Sequence, residues 1–172
     1  MSSSEIMDLL RRTQDIAQDR YGITNILQPG VIKELIMAEI LGHKLVPQKD
    51  LPDARDSEGN YYEYLASIRR VNVKTNLGCS FQMDRVTKSN MTRVTRNSAF
   101  YFGIFKTHLE IEEIWRVEVP VVHAEVERQL KSCKNKIAHV NFLLKWLEAN
   151  GSLVYPTASN QGIQADAAEP RG

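Results

Sequence analysis

The chain has 172 residues, with 22 Lys and Arg against 21 Asp and Glu, and 42% of it is apolar or aromatic. This size and balance fit one domain with a hydrophobic core, expected over residues 1–155, and exclude a disordered chain. No apolar run approaches the roughly 20 residues that cross a bilayer, and the N-terminal segment carries an acid where a secretory signal would be basic and then apolar. We therefore expect a soluble, cytoplasmic protein. Residues 156–172 are small and polar, which predicts a disordered tail.

Helix patterns occupy the first quarter of the chain. Apolar residues at spacings of three and four predict an amphipathic helix over about residues 5–19, whose apolar stripe must bury against something. The same periodicity predicts a second helix over 32–40, which Gly42 ends. A short extended piece then begins at Leu45.

Strand patterns follow in the centre of the chain, where Tyr, Ile, Val and Phe are frequent. We predict strands over residues 60–74, 100–106 and 109–117. Pro120 suits the first turn of a helix, and apolar spacing predicts a further helix over about 137–150. The elements together predict an α+β fold, with helices first, a central sheet, and helices last.

Charge is distributed unevenly along the chain. Residues 69–106 carry eight basic side chains and the single acid Asp84, a net charge of +7, whereas the segments before and after carry −4 and −2. Cations interleaved with amides and hydroxyls suit a surface that faces nucleic acid, because cations bind phosphates and amides read base edges. A solvated basic face and a site for an acidic protein are the alternatives.

We predict DNA contacts from this basic segment. Gln82 is the best base-reading candidate within residues 80–88, because its amide can bond adenine bidentately. Arg69 and Arg70 are further candidates for phosphate contacts. The predicted DNA-binding residues are Lys74, Ser80, Gln82, Asp84, Arg85, Lys88, Asn90, Arg93 and Arg96.

Acidic residues cluster around the start of the first long strand. Such a cluster is either solvated or neutralised by a divalent cation. Asp53 and Glu63 are predicted on adjacent extended segments, where they could hold one Mg²⁺ beside a phosphate and activate a water for in-line attack. A solvated hairpin turn is the favoured interpretation for Asp56 and Glu58. The cluster comprises Asp50, Asp53, Asp56, Glu58 and Glu63.

Several segments resemble one known family. The chain is similar to the small type II restriction endonucleases of the PvuII kind, in the PD-(D/E)xK superfamily, because helix, acidic turn and strand pair follow in the same order. The similar segments are 21–28, 33–42, 45–47, 53–63, 100–106, 111–117 and 136–155. The resemblance implies a mixed central sheet flanked by helices, and a homodimer that cuts both strands of duplex DNA with Mg²⁺ at a short palindrome.

One position departs from that family. The strand carrying the second acid usually places a Lys two residues further on, and here Leu65 stands there, or Ala66 after a shift by one residue. Leu65 and Ala66 thus occupy the catalytic position without a group that can do that task. Three explanations stay open: a bulge brings Arg69 or Lys74 into the site, the chain is an inactivated variant made to trap DNA uncut, or it binds without cutting.

The preferred hypothesis is a Mg²⁺-dependent endonuclease with Asp53 and Glu63 as metal ligands and Asp56 as a weaker outer candidate. The competing hypotheses are a DNA-binding homologue that does not cut and a basic scaffold for an acidic protein.

A dimer is expected as well. The resemblance implies N-terminal helices at the subunit interface, and a palindromic target needs two-fold symmetry. We therefore expect Leu9, Leu10 and Ile16 to pack across a two-fold axis. The alternative is that this helix covers its own core.

Overall fold

The computed structural model describes residues 3–48, 50–69, 77–84 and 90–156. Four cations of the basic segment lie outside these residues, namely Arg70, Lys74, Arg85 and Lys88. The predicted tail beyond residue 156 lies outside them too.

Two helices come first in the chain, and the other helices lie between strands, so that a strand and not the expected helix comes last among the described elements. The helices are α1 Ser3–Tyr21, α2 Val31–Leu41, α3 Asn90–Thr95, α4 Val119–Ser132 and α5 Leu144–Asn150. The strands are β1 Lys44–Leu45, β2 Ala54–Arg55, β3 Tyr61–Ile68, β4 Gly78–Asp84, β5 Ala99–Phe105, β6 Ile111–Glu118, β7 Ile137–Leu143 and β8 Ser152–Tyr155. The two N-terminal helices were predicted, as was the helix around Pro120, which lies at the start of α4.

Six of the strands in the described part of the chain form a mixed sheet in the order β1-β2-β3-β5-β6-β8. β3 and β5 are parallel, and their register runs without interruption from Tyr62 opposite Ala99 to Ile68 opposite Phe105. The other neighbours in this sheet are antiparallel. β4 and β7 form a separate antiparallel ribbon. The predicted α+β fold with a central mixed sheet flanked by helices is confirmed.

Both faces of the central sheet are covered. β5 is buried at every position, as expected for a strand between two apolar layers. On one face Phe102 packs with Phe142 of β7 and with α4. On the other face α2 approaches closely, because a Cβ at Gly103 would lie only 2.7 Å from the Met37 sulfur. This close approach holds α2 against the sheet and positions its charged side chains.

One predicted element is wrong. The helix expected over 137–150 is helical only from Leu144, and Ile137–Leu143 is strand β7. Its side chains alternate between exposed and buried, with Ala138, Val140 and Phe142 inside, which is the period of a strand and not of a helix. Pairing with β4, which the sequence analysis did not predict, satisfies its backbone.

The apolar stripe of α1 is exposed. Ile6, Met7, Leu9, Leu10 and Ile16 are between 39 and 51% accessible, whereas Ala17, about two turns further along the helix from Leu10, is 2% accessible and lies in the core. Only a narrow strip of α1 therefore packs on the core of the same chain. Within the described residues, no helix is both long enough and apolar enough to cross a membrane.

Candidate active site

Asp53 lies at the open edge of β3. It directly precedes β2, which pairs with β3 only at Tyr61 and Tyr62. The next backbone donor on that edge, the N–H of Tyr64, donates a 2.7 Å hydrogen bond to Oδ2 of Asp53. The carboxylate thus accepts the hydrogen bond that a longer β2 would accept, and it is fixed next to Glu63, the residue before Tyr64.

Glu63 itself is buried, with 5% of its surface accessible. Its Oε1 lies 3.3 Å from Nη2 of Arg93, and its Oε2 lies 3.7 Å from Nη2 of Arg96. Both arginines come from the short segment around α3. Oε2 is buried and has no hydrogen-bond partner within the described residues. A buried carboxylate oxygen in this state is costly unless a cation or a donor joins it.

A third carboxylate belongs to the same site. Burial raises the pKa of Glu34, on α2, to about 7, and repulsion from Asp53 and Glu63 adds to the rise. Burial also raises the pKa values of Asp53 and Glu63 above their usual range, while Arg93 and Arg96 oppose that rise. Besides burial, repulsion from Asp53 raises the pKa values of both Glu34 and Glu63, so the three acids share a region of negative potential.

Sequence reasoning missed Glu34, although a signal was present. Glu34 precedes Met37 by three residues and Ala38 by four, and these two are the buried residues of α2. A charged residue on the buried side of a helix is unusual and favours a specific role.

A cleft of about 260 Å³ opens at this acidic region. Glu34 and Asp53 line it together with the connection between α1 and α2 and the segment after β1. The other polar lining residues are Thr24, Asn25, Gln28 and Gln48. The cleft gives solvent and small ligands access to two of the three acids.

The position expected to hold a lysine is apolar. Leu65 is 6% accessible and packs in the core, and Ala66 packs on the opposite face of the sheet. The uninterrupted register of β3 with β5 shows no bulge. Arg69 lies roughly 20 Å along the chain from Glu63 and pairs with Glu112 and Glu113 at 2.7 and 3.4 Å. The idea that a bulge brings Arg69 into the site is therefore wrong.

Asp56 is engaged in the turn before β3. Its carboxylate accepts hydrogen bonds from the backbone N–H groups of Glu58 and Asn60, from the Asn60 amide and from the Tyr62 hydroxyl. These bonds hold its pKa below the usual range. The arrangement is that of an Asx-type turn. Asp50 contributes a backbone carbonyl, which accepts a hydrogen bond from Arg96.

The donor set suits a divalent cation with few protein ligands. No group of three or more His, Cys, Asp or Glu with metal-site geometry occurs in the parts of the chain that the structure describes. Mg²⁺ commonly binds through one or two carboxylates and completes its shell with water and phosphate oxygens. Asp53 and Glu63 fit that mode, since Oε2 of Glu63 has no hydrogen-bond partner within the described residues.

The β4–β7 ribbon presents a polar outer face. Ser80 lies opposite Asn141, and Gln82 lies opposite His139, and all four are exposed. The Gln82 amide nitrogen is 3.5 Å from Nδ1 of His139. Sequence reasoning missed His139 and Asn141, because their segment was predicted as helix. Among the other predicted DNA contacts, Asp84 ends β4 and Asn90 begins α3.

Comparison with known protein families matches residues 2–155 to the family described as restriction endonuclease PvuII. The matched region spans every helix and strand of the described chain. A search of curated proteins finds no match.

Proposed function

The chain belongs to the PvuII restriction endonuclease family, and from this premise we propose that it is a Mg²⁺-dependent type II endonuclease that cuts both strands of duplex DNA at a short palindrome. The observation that supports this function most strongly is the pair of acids at the open edge of β3, where the hydrogen bond from Tyr64 holds Asp53 next to the buried Glu63. We propose residues 1–155 as the endonuclease domain.

The reaction adds one water across a phosphodiester bond. The hydroxyl of the water joins phosphorus, the bond from phosphorus to one sugar oxygen breaks, and that oxygen takes the remaining proton. Mg²⁺ held by Asp53 and Glu63 would neutralise phosphate charge and lower the pKa of a bound water. The carboxylates must be ionised for this, and Arg93 and Arg96 favour the ionised form of both.

Target recognition is proposed for the outer face of the β4–β7 ribbon. The major groove of DNA admits a two-stranded ribbon, and amide and imidazole groups bond base edges there. Ser80, Gln82, His139 and Asn141 supply such groups from paired positions. The predicted phosphate contacts outside the described residues, Lys74, Arg85 and Lys88, flank this ribbon in sequence.

We propose a homodimer formed through α1. A palindrome presents the same half-site twice, so two copies related by a two-fold axis match it with one site per strand. The exposed apolar stripe with Leu9, Leu10 and Ile16 is a surface of the kind that such an interface buries.

A second candidate function is DNA binding without cleavage. The apolar side chains of Leu65 and Ala66 favour it, because they stand where the strand of related nucleases carries a lysine, so that β3 itself supplies no cation next to Glu63. This candidate shares the fold, the ribbon and the basic segment with the first.

A plasmid-cleavage assay separates the two candidates. We expect the unchanged protein to linearise a mixture of plasmids with Mg²⁺ and to be inactive in EDTA. A variant with Asp53→Asn and Glu63→Gln should not cut, while the control Glu58→Gln, an exposed acid of the neighbouring turn, should cut normally. Tight binding without cleavage in Mg²⁺ or Mn²⁺ would support the second candidate instead.

A further inference from the structure

We propose that Arg93 binds the phosphate that is cleaved and so supplies the positive group that β3 lacks. The inference rests on the proposed endonuclease function and adds a substrate-binding residue to it. Arg93 lies on α3, not on the strand that carries Glu63, so strand periodicity alone could not indicate it.

The guanidinium of Arg93 is held in place from three sides. Nη2 pairs with Oε1 of Glu63 at 3.3 Å, and Nη1 donates a 3.2 Å hydrogen bond to the carbonyl oxygen of Gln82. The guanidinium carbon lies 4.6 Å from the centre of the Phe81 ring, within cation–π distance. A planar group fixed in this way is oriented before any ligand arrives.

Arg93 still has capacity for a ligand. A guanidinium has five N–H donors, and two of them are used by Glu63 and Gln82. Its side chain is 46% accessible, so solvent-facing donors remain beside a buried carboxylate. A phosphate oxygen placed there would bond the guanidinium and lie close to the carboxylate that is proposed to hold Mg²⁺.

Other described cations are less suited to this task. Arg96 is 25% accessible and is bound to Glu63 and to the backbone carbonyl of Asp50. The Lys33 ammonium lies over the ring of Phe105, at one end of β5. Glu63 lies opposite Phe100, near the other end of that strand. Arg69 is paired at the far end of β3. Arg93 is thus the accessible cation that also contacts the candidate site.

The chemistry of arginine limits the role. A guanidinium stays protonated, so it cannot accept a proton from the attacking water. It can bind two phosphate oxygens in a planar fork and stabilise negative charge as the bond to water forms. Because Arg93 also binds the backbone of Gln82, it connects the proposed DNA-reading strand with the acidic site.

The test compares three full-length variants, Arg93→Met, Arg93→Lys and the control Lys106→Met. Lys106 is an exposed cation that pairs with Glu110 in the connection between β5 and β6. Thermal unfolding first establishes which variants are folded. Single-turnover cleavage with Mg²⁺ should fall about 100-fold or more for Arg93→Met, with partial recovery in Arg93→Lys, and should not change in the control.

Binding without metal provides a second readout. Affinity is measured over a range of NaCl concentrations for the duplex that the unchanged protein cuts or, if it cuts none, for the duplex it binds most tightly. The slope of log affinity against log salt should fall by about one for Arg93→Met and stay unchanged for Lys106→Met. Arg93→Lys should keep the original slope, because its charge is retained.

The outcomes distinguish a failure of the role proposed for Arg93 from a failure of the proposed endonuclease function. Normal cleavage and an unchanged salt slope in Arg93→Met overturn the role of Arg93 and leave the endonuclease function intact. Absence of cleavage by the unchanged protein overturns the endonuclease function, and the salt slope then decides whether Arg93 binds phosphate. If Arg93→Met does not fold, Arg93→Gln replaces it under the same criteria, and Arg93→Lys must still keep the slope.

Discussion

The backbone N–H of Tyr64 donates a 2.7 Å hydrogen bond to Oδ2 of Asp53. Through this bond an acid from one segment is fixed next to Glu63, the neighbour of Tyr64 on β3. The contact also satisfies a backbone donor that β2 is too short to pair. Asp53 therefore has a structural role besides its proposed role as a metal ligand. A variant that tests metal binding must keep the hydrogen bond from Tyr64.

Asp53→Asn meets that requirement, since the amide oxygen can still accept from Tyr64. We expect cleavage to fall at least about 100-fold, because a neutral amide is a poor ligand for Mg²⁺. DNA affinity should stay the same or rise, since one negative charge near a polyanion is removed. Calcium should support binding of the unchanged protein without cutting. Normal cleavage by Asp53→Asn would exclude this residue as a metal ligand.

Glu34→Gln tests the third acid. Because burial raises the pKa of Glu34 to about 7, its carboxylate is neutral at pH 5 and charged at pH 8. At pH 8 the substitution removes a charge that repels Asp53 and Glu63, so we expect stabilisation of about 1–3 kcal/mol in the metal-free protein. At pH 5 the effect should be small. Thermal unfolding at both pH values measures it, with the exposed Glu148→Gln as control.

The stability of the metal-free protein should decrease as pH rises from about 4 to about 7. The pKa values of Asp53, Glu63 and Glu34 lie above their usual values in the folded chain. In this window the folded state holds more protons than the unfolded state, so raising the pH favours unfolding. The lowered pKa of Asp56 acts below this window.

Urea unfolding in EDTA at several pH values measures this decrease. A variant with Asp53→Asn and Glu34→Gln should show a shallower pH dependence, because two of the three groups no longer titrate. Stability that rises with pH across the window would contradict the burial of these acids.

The two proposed metal ligands could be found from the sequence because they are close in the chain. Asp53 and Glu63 are separated by one turn, and local strand patterns suffice to place them on adjacent segments. Glu34 reaches the same site through the packing of α2 on the sheet, and Arg93 reaches it through α3, which was not predicted. Contacts between such distant segments depend on tertiary packing, which periodicity does not encode.

The error over residues 137–143 has a similar cause. Ile137, Val140 and Leu144 are spaced as on a helix, and the alternation of buried residues becomes clear only when β4 is there to pair with the segment. A strand of a two-stranded ribbon depends on its partner for its hydrogen bonds, so the local pattern was ambiguous. The consequence was that His139 and Asn141 were not recognised as surface partners of Gln82 and Ser80.

Substitutions on the ribbon should change target preference more than cleavage chemistry. Gln82→Ala and His139→Ala each remove a group that can bond a base edge, and we expect the preference at one base pair of each half-site to fall about 10- to 100-fold. Cleavage of a library of randomised duplexes, followed by sequencing of the products, measures this preference. Lys136→Ala, an exposed cation just before β7, serves as the control. An unchanged preference in both ribbon variants would place base recognition elsewhere.

The last prediction concerns α1. Gln14 anchors the inner side of this helix, because its amide nitrogen donates to the carbonyl of Ile23 and its amide oxygen accepts from the N–H of Ile26. Leu9 and Leu10 are 51 and 39% accessible, so replacing both with Glu should leave that anchor and the fold intact.

In a dimer built on α1 these leucines become buried, and each contributes on the order of 1.5–3 kcal/mol to association. We therefore expect the double variant to sediment as a folded monomer that cuts one strand slowly, whereas Asp15→Lys, an exposed substitution on the side of the helix away from Leu9 and Leu10, should remain dimeric. A dimer that persists in the double variant would show that the interface lies elsewhere. An unchanged protein that sediments as a monomer, with and without DNA, would argue against two-fold recognition altogether.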